Sequence, residues 1–230
     1  MKLIMLTIIS KLTLLHDIFS RLLLLFPIFF VHNLSKYNTI NKIFYNLSLD
    51  QVNGDCIEFG IFTGASLKHS IRSNKKHFKN SKSIFYGLDS FEGFPNDDHP
   101  YFNKENFKNS YKNAKKIEKR FSNVKIIKGF FSDTLNNSSE IKKINSLKFV
   151  FIDCDLYKSS IEPIRFIKDK IAKGGYVMID DFTNIDKDGK TISHVFFDEF
   201  KKSNIVFTSN FGVSGVVYRY LGDSKIIDDN

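Results

Sequence analysis

Short apolar runs alternate with longer amphipathic or polar stretches along most of the chain after Asn53-Gly54. Strands that alternate with helices are typical of βαβ units, so this pattern predicts an α/β fold with a mostly parallel, Rossmann-like sheet. The predicted strands are residues 55–59, 83–88, 124–128, 147–152 and 176–179, and the predicted helices are residues 66–77, 103–120, 160–171 and 193–202.

Two further β-rich runs, residues 205–209 and 215–220, lie close together near the end of the chain. Asn210-Phe211-Gly212 separates them, and a short connection containing glycine is typical of a β-hairpin. We therefore expect a C-terminal antiparallel hairpin at the edge of the sheet, which makes the sheet seven-stranded.

The first fifty residues do not follow the strand–helix alternation, and we expect them to form an N-terminal helical extension. Residues 3–31 are very apolar, but Lys11, Asp17 and Arg21 interrupt them, and Pro27 is expected to kink a helix. The longest uninterrupted apolar run, residues 22–31, is about half of the roughly 20 residues that a bilayer span requires. The remaining alternatives are a helix packed on the domain or on a second subunit of a homo-oligomer, a peripheral membrane contact through residues 1–31, and a targeting peptide.

Chain length, net charge and cysteine content limit the number of domains and the kinds of partner that the protein can have. A chain of 230 residues fits one α/β domain, which we place at residues 51–222 between the extension (1–50) and a tail (223–230). The net charge of +9 comes mainly from lysines scattered among asparagines, which favours a solvated surface over a nucleic-acid groove. Cys56 and Cys154 lie inside apolar runs, as buried free thiols do in a reducing cytoplasm.

Acidic residues close four of the predicted strands. Ligands of such sheets bind beyond the carboxyl ends of the strands, where these side chains are expected to meet. Carboxylates repel one another unless a cation or hydrogen-bond donors compensate, so a purely structural role is a poor explanation for them. They are Glu58 at the end of the first strand, Asp89 after the second, Asp153 and Asp155 after the fourth, and Asp180 and Asp181 after the fifth.

The first strand ends in Glu58-Phe59, and it is followed by residues 60–64, a segment with Gly60 and Gly64 at its two ends that we call the glycine turn. Glycines at such a position allow a tight turn and close approach of a ligand to the backbone. The spacing differs from both the dinucleotide and the phosphate-loop motifs, which disfavours those ligands. Asp89 is placed to bind the two hydroxyls of a cofactor ribose. Asp133 follows the third strand, where it either reaches an adenine ring or caps a helix.

Asp153, Asp180 and Asp181 form the strongest group, because their two strands should be neighbours. Three carboxylates suit a hard cation such as Mg²⁺, which would bind a substrate alcohol and lower its pKa. Asp153 is the candidate general base, and His194 is a second candidate catalytic residue. Asp155 is expected to orient this site.

At this point several blocks together resemble one family, that of the macrocin O-methyltransferases. The blocks are G-D-C-I-E-F-G at 54–60, Y-G-L-D-S-F-E-G-F-P at 86–95, residues 129–135, D-C-D-L-Y-K-S at 153–159 and G-G-Y-V-M-I-D-D-F at 174–182. The resemblance covers about residues 52–220 and implies a class I methyltransferase fold, S-adenosylmethionine, Mg²⁺, and methylation of a hydroxyl on a sugar or glycosylated small molecule. By motif position, it implies a cofactor site of Glu58, Gly60, Gly64, Asp89, Ser90 and Asp133, and a metal site of Asp153, Asp180 and Asp181.

Two other enzyme classes remain as alternatives. Asp153-Cys154-Asp155 is a D-x-D motif of the kind that holds the metal of a nucleotide sugar in glycosyltransferases, but this leaves the glycine turn unexplained. The basic charge suggests a nucleic-acid methyltransferase, which requires a continuous lysine face beside the cofactor. A protein that has lost its activity is a third alternative, although the carboxylates at the strand ends argue against it.

Overall fold

The protein is a single seven-stranded sheet with helices on both faces. The computed structural model describes residues 12–94 and 108–222. The helices are α1 (Thr13–Leu24), α2 (Ile28–Leu49), α3 (Ala65–His77), α4 (Tyr111–Arg120), α5 (Phe131–Asn137), α6 (Tyr157–Lys168) and α7 (Ile192–Glu199). The strands are β1 (Asp55–Phe59), β2 (Phe85–Asp89), β3 (Val124–Lys128), β4 (Leu147–Ile152), β5 (Ile171–Ile179), β6 (Ile205–Phe211) and β7 (Gly215–Tyr220).

The strand order is β3-β2-β1-β4-β5-β7-β6. Strands β1 to β5 pair in parallel, and β7 pairs antiparallel with both β5 and β6. The predicted mostly parallel, seven-stranded sheet with a C-terminal antiparallel hairpin is confirmed. The order reverses between β1 and β4, which places a crevice at the carboxyl ends of those two strands.

Several predicted boundaries are wrong, among them the end of the helix predicted at residues 193–202, which lies at Glu199. Residue 171 was expected to end a helix, but α6 ends at Lys168 and β5 begins at Ile171. Gly174 has a positive φ of 82°, and the pairing with β4 shifts register here, so β5 passes through an irregularity that reads as a loop in the sequence. Helix α4 begins at Tyr111 rather than at residue 103, because Lys108 forms an isolated antiparallel bridge with Glu92; residues 103–107 lie outside the described chain.

Each face of the sheet has its own apolar core. On one face, Ile40, Phe44 and Leu47 of α2 pack with Leu67 and Ile71 of α3 against the sheet. The other core combines side chains of α6 and α7 with the sheet residues between them. The second half of α2 is therefore part of the domain core, because Ile40, Phe44 and Leu47 are fully buried there.

The beginning of the chain has the opposite character. Every side chain described between residues 12 and 30 is exposed, including Leu24, Leu25 and Phe29. Among the described residues, no single helix is long and apolar enough to cross a membrane, although α1 and α2, bent by 107° relative to each other, satisfy that test of length and composition as a pair. Helix α1 thus does not pack on the sheet; the membrane contact and the homo-oligomer stay predictions.

Candidate active site

The glycine turn connects β1 to α3 and passes very close to the end of β4. Gly60 has a φ of 83°, and a Cβ atom on it would overlap the backbone oxygen of Asp153. Gly64 has a φ of 69°, and a Cβ there would overlap the side chain of Ile117. Both positions therefore require glycine, for the left-handed backbone and for the space. The turn brings the end of β1 into contact with the first acidic residue after β4.

Glu58 is buried beneath this turn. Its Oε1 atom accepts a hydrogen bond from the Ser66 hydroxyl at 2.5 Å, while Oε2 is buried and has no hydrogen-bond partner among the residues that the structure describes. Burial raises the pKa of Glu58 to about 8, although the Ser66 bond opposes the shift. A buried carboxylate oxygen without a partner is costly, so this position is suited to a donor that a ligand or a water molecule brings.

Asp89 ends β2 and organises the loops on both sides of the crevice. Its Oδ2 accepts the backbone N–H of Phe62 at 2.8 Å, and its Oδ1 accepts the N–H of Phe91 at 2.7 Å. Both phenylalanines have a positive φ, of 46° and 57°. Burial is the largest influence on Asp89 and raises its pKa, while the two backbone bonds lower it. Strained non-glycine backbone of this kind is concentrated at functional sites.

A cleft of about 360 Å³ lies in this crevice. It joins two predicted sites, because Gly60, Asp89 and Ser90 line one part of it and Asp153 and Asp155 line another. The remaining lining comes from Phe62, Gly93, Phe94, residues 129–132, Cys154, Lys158, Ser159 and Glu162. Asp133 is exposed in the first turn of α5, directly after the cleft residue Ser132.

Three aspartates at the ends of β4 and β5 form a compact acidic group. Asp153, Asp155 and Asp181 each offer a carboxylate oxygen within 4.8 Å of the others. Asp155 and Asp181 have φ values of 63° and 50°, so the backbone is held in an unfavourable conformation that turns both residues into the group. Burial raises the pKa of Asp153 to about 7 and, with the neighbouring carboxylates, raises the pKa values of Asp155 and Asp181. Mutual repulsion of this kind is relieved by a bound cation.

Asp180, the other predicted metal ligand, is adjacent to this group but already has cationic partners. Its Oδ2 lies 2.7 Å from Lys36 Nζ and 3.1 Å from His32 Nε2, and its Oδ1 accepts the Asp181 backbone N–H. Burial opposes ionisation of Asp180, but the contacts with His32 and Lys36 outweigh it and lower its pKa. Lys36 Nζ also lies 3.0 Å from Asp153 Oδ2, so it bridges the two strand ends.

Lys36 and His32 lie on α2 and were not identified from the sequence. They are separated by one helical turn, so both face the acidic group. His32 Nδ1 accepts the backbone N–H of Val213, which assigns its proton to Nε2, the atom facing Asp180. The signal in the sequence was the i, i+4 spacing of these two basic residues, which places them on one face of a helix.

His194, predicted as a second catalytic residue, lies at the start of α7. Its exposed side chain accepts the backbone N–H of Thr191 through Nδ1 at 3.1 Å, and the Thr191 side chain bonds the backbone of the first turn in return. This arrangement is a capping box, which stabilises the start of a helix. The structure therefore gives His194 a helix-capping role.

The arrangement of these residues can be compared with known proteins. The sequence profile described as macrocin-O-methyltransferase (TylF) matches residues 34–209, which is most of the chain.

The chain belongs to the macrocin-O-methyltransferase (TylF) family. The family suggested by the sequence motifs is thus confirmed. The match begins at residue 34, so it includes Lys36 and most of α2 as well as the sheet.

Individual relatives of this TylF-family chain are distant. Demethyldecarbamoylnovobiocin O-methyltransferase of Streptomyces niveus is 24% identical over 150 residues, covering 58% of this chain and 54% of the relative. The chain therefore spans about half the length of that curated relative.

Solved structures support the fold. CalS11, a calicheamicin methyltransferase, has a TM-score of 0.69 and 16% identity, covering 84% of this chain and 80% of its own. An apo structure of CalS11, described as a TDP-rhamnose 3'-O-methyltransferase, has a TM-score of 0.63 and covers 84% and 81% at 16% identity. The O-methyltransferase NovP has a TM-score of 0.66 and 19% identity, covering 81% and 79%. The predicted Rossmann-like class I methyltransferase fold is confirmed.

Proposed function

We propose that this protein is an S-adenosylmethionine-dependent O-methyltransferase that methylates a hydroxyl of a sugar or glycosylated small molecule with the help of a divalent metal ion. The observation that carries the proposal is that one cleft is lined both by Gly60 and Asp89 and by Asp153 and Asp155. A methyl donor and an acceptor hydroxyl held at these two groups would share the same space. Membership of the TylF family and the sugar methyltransferase CalS11 among its structural neighbours support the sugar acceptor.

The residues around the glycine turn fit S-adenosylmethionine. The Glu58 Oε2 atom is a buried acceptor in need of a donor, and Gly60 and Gly64 keep the turn free of side chains. The carboxylate of Asp89 is fixed by two backbone N–H groups, so its remaining lone pairs can accept ribose hydroxyls. Ser90 lines the cleft beside Asp89, and Asp133 is the most peripheral member of the proposed cofactor set.

The acidic group fits a hard divalent cation such as Mg²⁺, because its donors are carboxylate oxygens whose pKa values are raised by burial and by the neighbouring carboxylates. Asp153 and Asp181, with Asp155 or Asp180 beside them, would hold the ion. The ion would lower the pKa of the acceptor hydroxyl. S-adenosylmethionine would supply the methyl group to the acceptor oxygen and leave as S-adenosylhomocysteine, and Asp153 would accept the hydroxyl proton.

The D-x-D alternative has one observation in its favour, which is that Asp153 and Asp155 both belong to the acidic group. A glycosyltransferase would bind a nucleoside diphosphate sugar at these residues and would have no use for the glycine turn. A nucleic-acid methyltransferase would bind RNA with an affinity that falls steeply with salt. The three functions therefore differ in the first ligand that the protein binds.

Calorimetry distinguishes them. We expect the protein to bind S-adenosylmethionine with one site, with UDP-glucose and a short RNA giving no heat in parallel titrations. Methyl transfer from labelled S-adenosylmethionine to a panel of TDP-sugars should then require Mg²⁺ and disappear with EDTA.

Asp181→Asn should lose the Mg²⁺-dependent methyl transfer, because it removes a proposed ligand of the ion. Asp188→Asn, at an exposed position of a nearby loop, should transfer methyl groups like the wild type. Binding of UDP-glucose without S-adenosylmethionine would refute the proposal.

A further inference from the structure

Lys36 is a buried cation at the centre of the acidic group. Its side chain is 11% exposed, and its Nζ atom lies 3.0 Å from Asp153 and 2.7 Å from Asp180. It also lies 5.5 Å from the centre of the Phe151 ring, so its stem is packed against the sheet. A lysine is rarely buried to this extent unless its charge is paired.

The position of Lys36 is fixed by the helix that carries it. Ile40 and Phe44 follow on the same helix and are fully buried in the core between α2 and the sheet. His32, one turn earlier, is bonded to Asp180 and to the backbone of Val213. Because α2 is held in place on both sides of Lys36, the ammonium group stays beside the carboxylates and does not extend into solvent.

The carboxylates that Lys36 occupies are among those available to a metal. Asp153 belongs to the group of three oxygens that can surround one ion, and Lys36 is bonded to its Oδ2. A divalent ion at this group would therefore lie close to a fixed positive charge and share a ligand residue with it. Like charges at such a distance repel, and a carboxylate oxygen that binds an ammonium is a weaker ligand for a second cation.

We propose that Lys36 is a positioning residue that acts as an internal cation of this site: it holds Asp153 and Asp180 together and competes with the divalent ion for their negative charge, so that it lowers the affinity of the protein for the ion. This inference rests on the proposed function in taking the acidic group as a metal site. It adds that the N-terminal extension takes part in metal binding.

Removal of the Lys36 charge should change the affinity for the divalent ion in one direction only. Replacement of Lys36 by a neutral side chain should strengthen metal binding, whereas a side chain that only supported the fold would weaken binding or leave it unchanged when lost. The same replacement should make the metal-free protein less stable, because the aspartates then repel one another without compensation.

The probe is Mn²⁺, followed by electron paramagnetic resonance of the free ion. We expect Lys36→Met and Lys36→Gln to lower the Kd for Mn²⁺ at least threefold, and Lys36→Arg, which keeps the charge, to remain within twofold of the wild type. Lys42→Met is the matched control, since it makes the same change at an exposed position of the same helix. In thermal unfolding, saturating Mg²⁺ should raise the Tm of Lys36→Met more than that of the wild type.

Equal or weaker Mn²⁺ binding by both neutral variants would overturn the inference, and the methyl-transfer assay would still judge the proposed function by itself. If Lys36→Met does not fold, Lys36→Gln decides the outcome. If neither the wild type nor any variant binds Mn²⁺, both the inference and the metal part of the proposed function are wrong, while binding of S-adenosylmethionine stands or falls separately.

Discussion

The Oδ2 atom of Asp89 accepts a hydrogen bond from the backbone N–H of Phe62 at 2.8 Å. This bond ties the end of β2 to the glycine turn after β1. With the second bond from Phe91, both oxygens of one carboxylate fix the loops on the two sides of the crevice. The same side chain is therefore needed for the shape of the crevice and for the proposed ribose contacts.

Asp89→Asn should weaken binding of S-adenosylmethionine by about 10- to 100-fold, as expected for loss of a hydrogen bond to a charged group. The amide has one acceptor oxygen, so either Phe62 or Phe91 loses its partner. Calorimetric titration measures the effect, and Asp198→Asn, at an exposed position of α7, is the control. Equal affinities of the two variants would rule out Asp89 as a cofactor ligand.

Gly60→Ala should destabilise the protein by more than about 3 kcal/mol, because the new methyl group overlaps the backbone of Asp153 in addition to the strain of a left-handed φ. Gly189 provides a matched control: its φ is 75°, but a Cβ there meets nothing within 4 Å. Gly189→Ala should therefore cost only the conformational strain, about 1–2 kcal/mol. Urea unfolding compares the two, and similar losses would mean that the contact between Gly60 and Asp153 is not close.

Glu58→Gln should change how stability depends on pH. The pKa of Glu58 is about 8 in the folded protein, against an ordinary value of 4.5, so between these pH values the native protein keeps the proton while the unfolded chain has lost it. The free energy of unfolding contributed by Glu58 is thus fully present below pH 4.5 and declines as pH rises towards 8. Glutamine cannot ionise, so the stability of Glu58→Gln relative to that of the wild type should increase from pH 5.5 to pH 8.

The expected relative gain between pH 5.5 and pH 8 is about 3 kcal/mol, since each pH unit between the two pKa values contributes about 1.4 kcal/mol. Urea unfolding of the ligand-free protein at several pH values measures it. Glu162→Gln, which makes the same substitution at a half-buried position of α6, serves as the comparison. A constant difference between Glu58→Gln and wild type across this range would show that Glu58 is already ionised.

His194→Ala should lower stability by about 1 kcal/mol through loss of the helix cap and leave the affinity for S-adenosylmethionine unchanged. His194→Gln should largely restore stability, because glutamine serves the same position in capping boxes. Thermal unfolding and calorimetry test the two statements. If His194→Gln is fully stable but loses methyl transfer, His194 has the catalytic role that the sequence suggested.

The sequence was informative where strands are short and end in charged residues. Asp89, Asp153 and Asp180-Asp181 were placed at one edge because the carboxyl ends of parallel strands must meet there, and this needs only the order of the elements. The full extent of β5 was not predicted, because Gly174 and Gly175 look like a loop unless the irregular pairing with β4 is known.

The basic residues of the site were beyond the reach of sequence reasoning for a different reason. Lys36 and Asp153 are 117 residues apart, and their contact depends on how Ile40 and Phe44 seat α2 on the sheet. The sequence also does not show that the neighbouring aspartates have different partners. Asp180 and Asp181 are neighbours in sequence, but only the left-handed backbone of Asp181 sends the two carboxylates to different partners.

The placement of α2 limits how this protein can be shortened. A fragment that starts at residue 51 looks like a natural catalytic unit when only the strand–helix alternation is considered. Such a fragment would lack Ile40, Phe44 and Leu47, leaving part of one face of the sheet uncovered, and would leave Asp153 and Asp180 without the lysine that contacts both. Trimmed versions made for crystallisation or engineering should therefore retain everything from His32 onward.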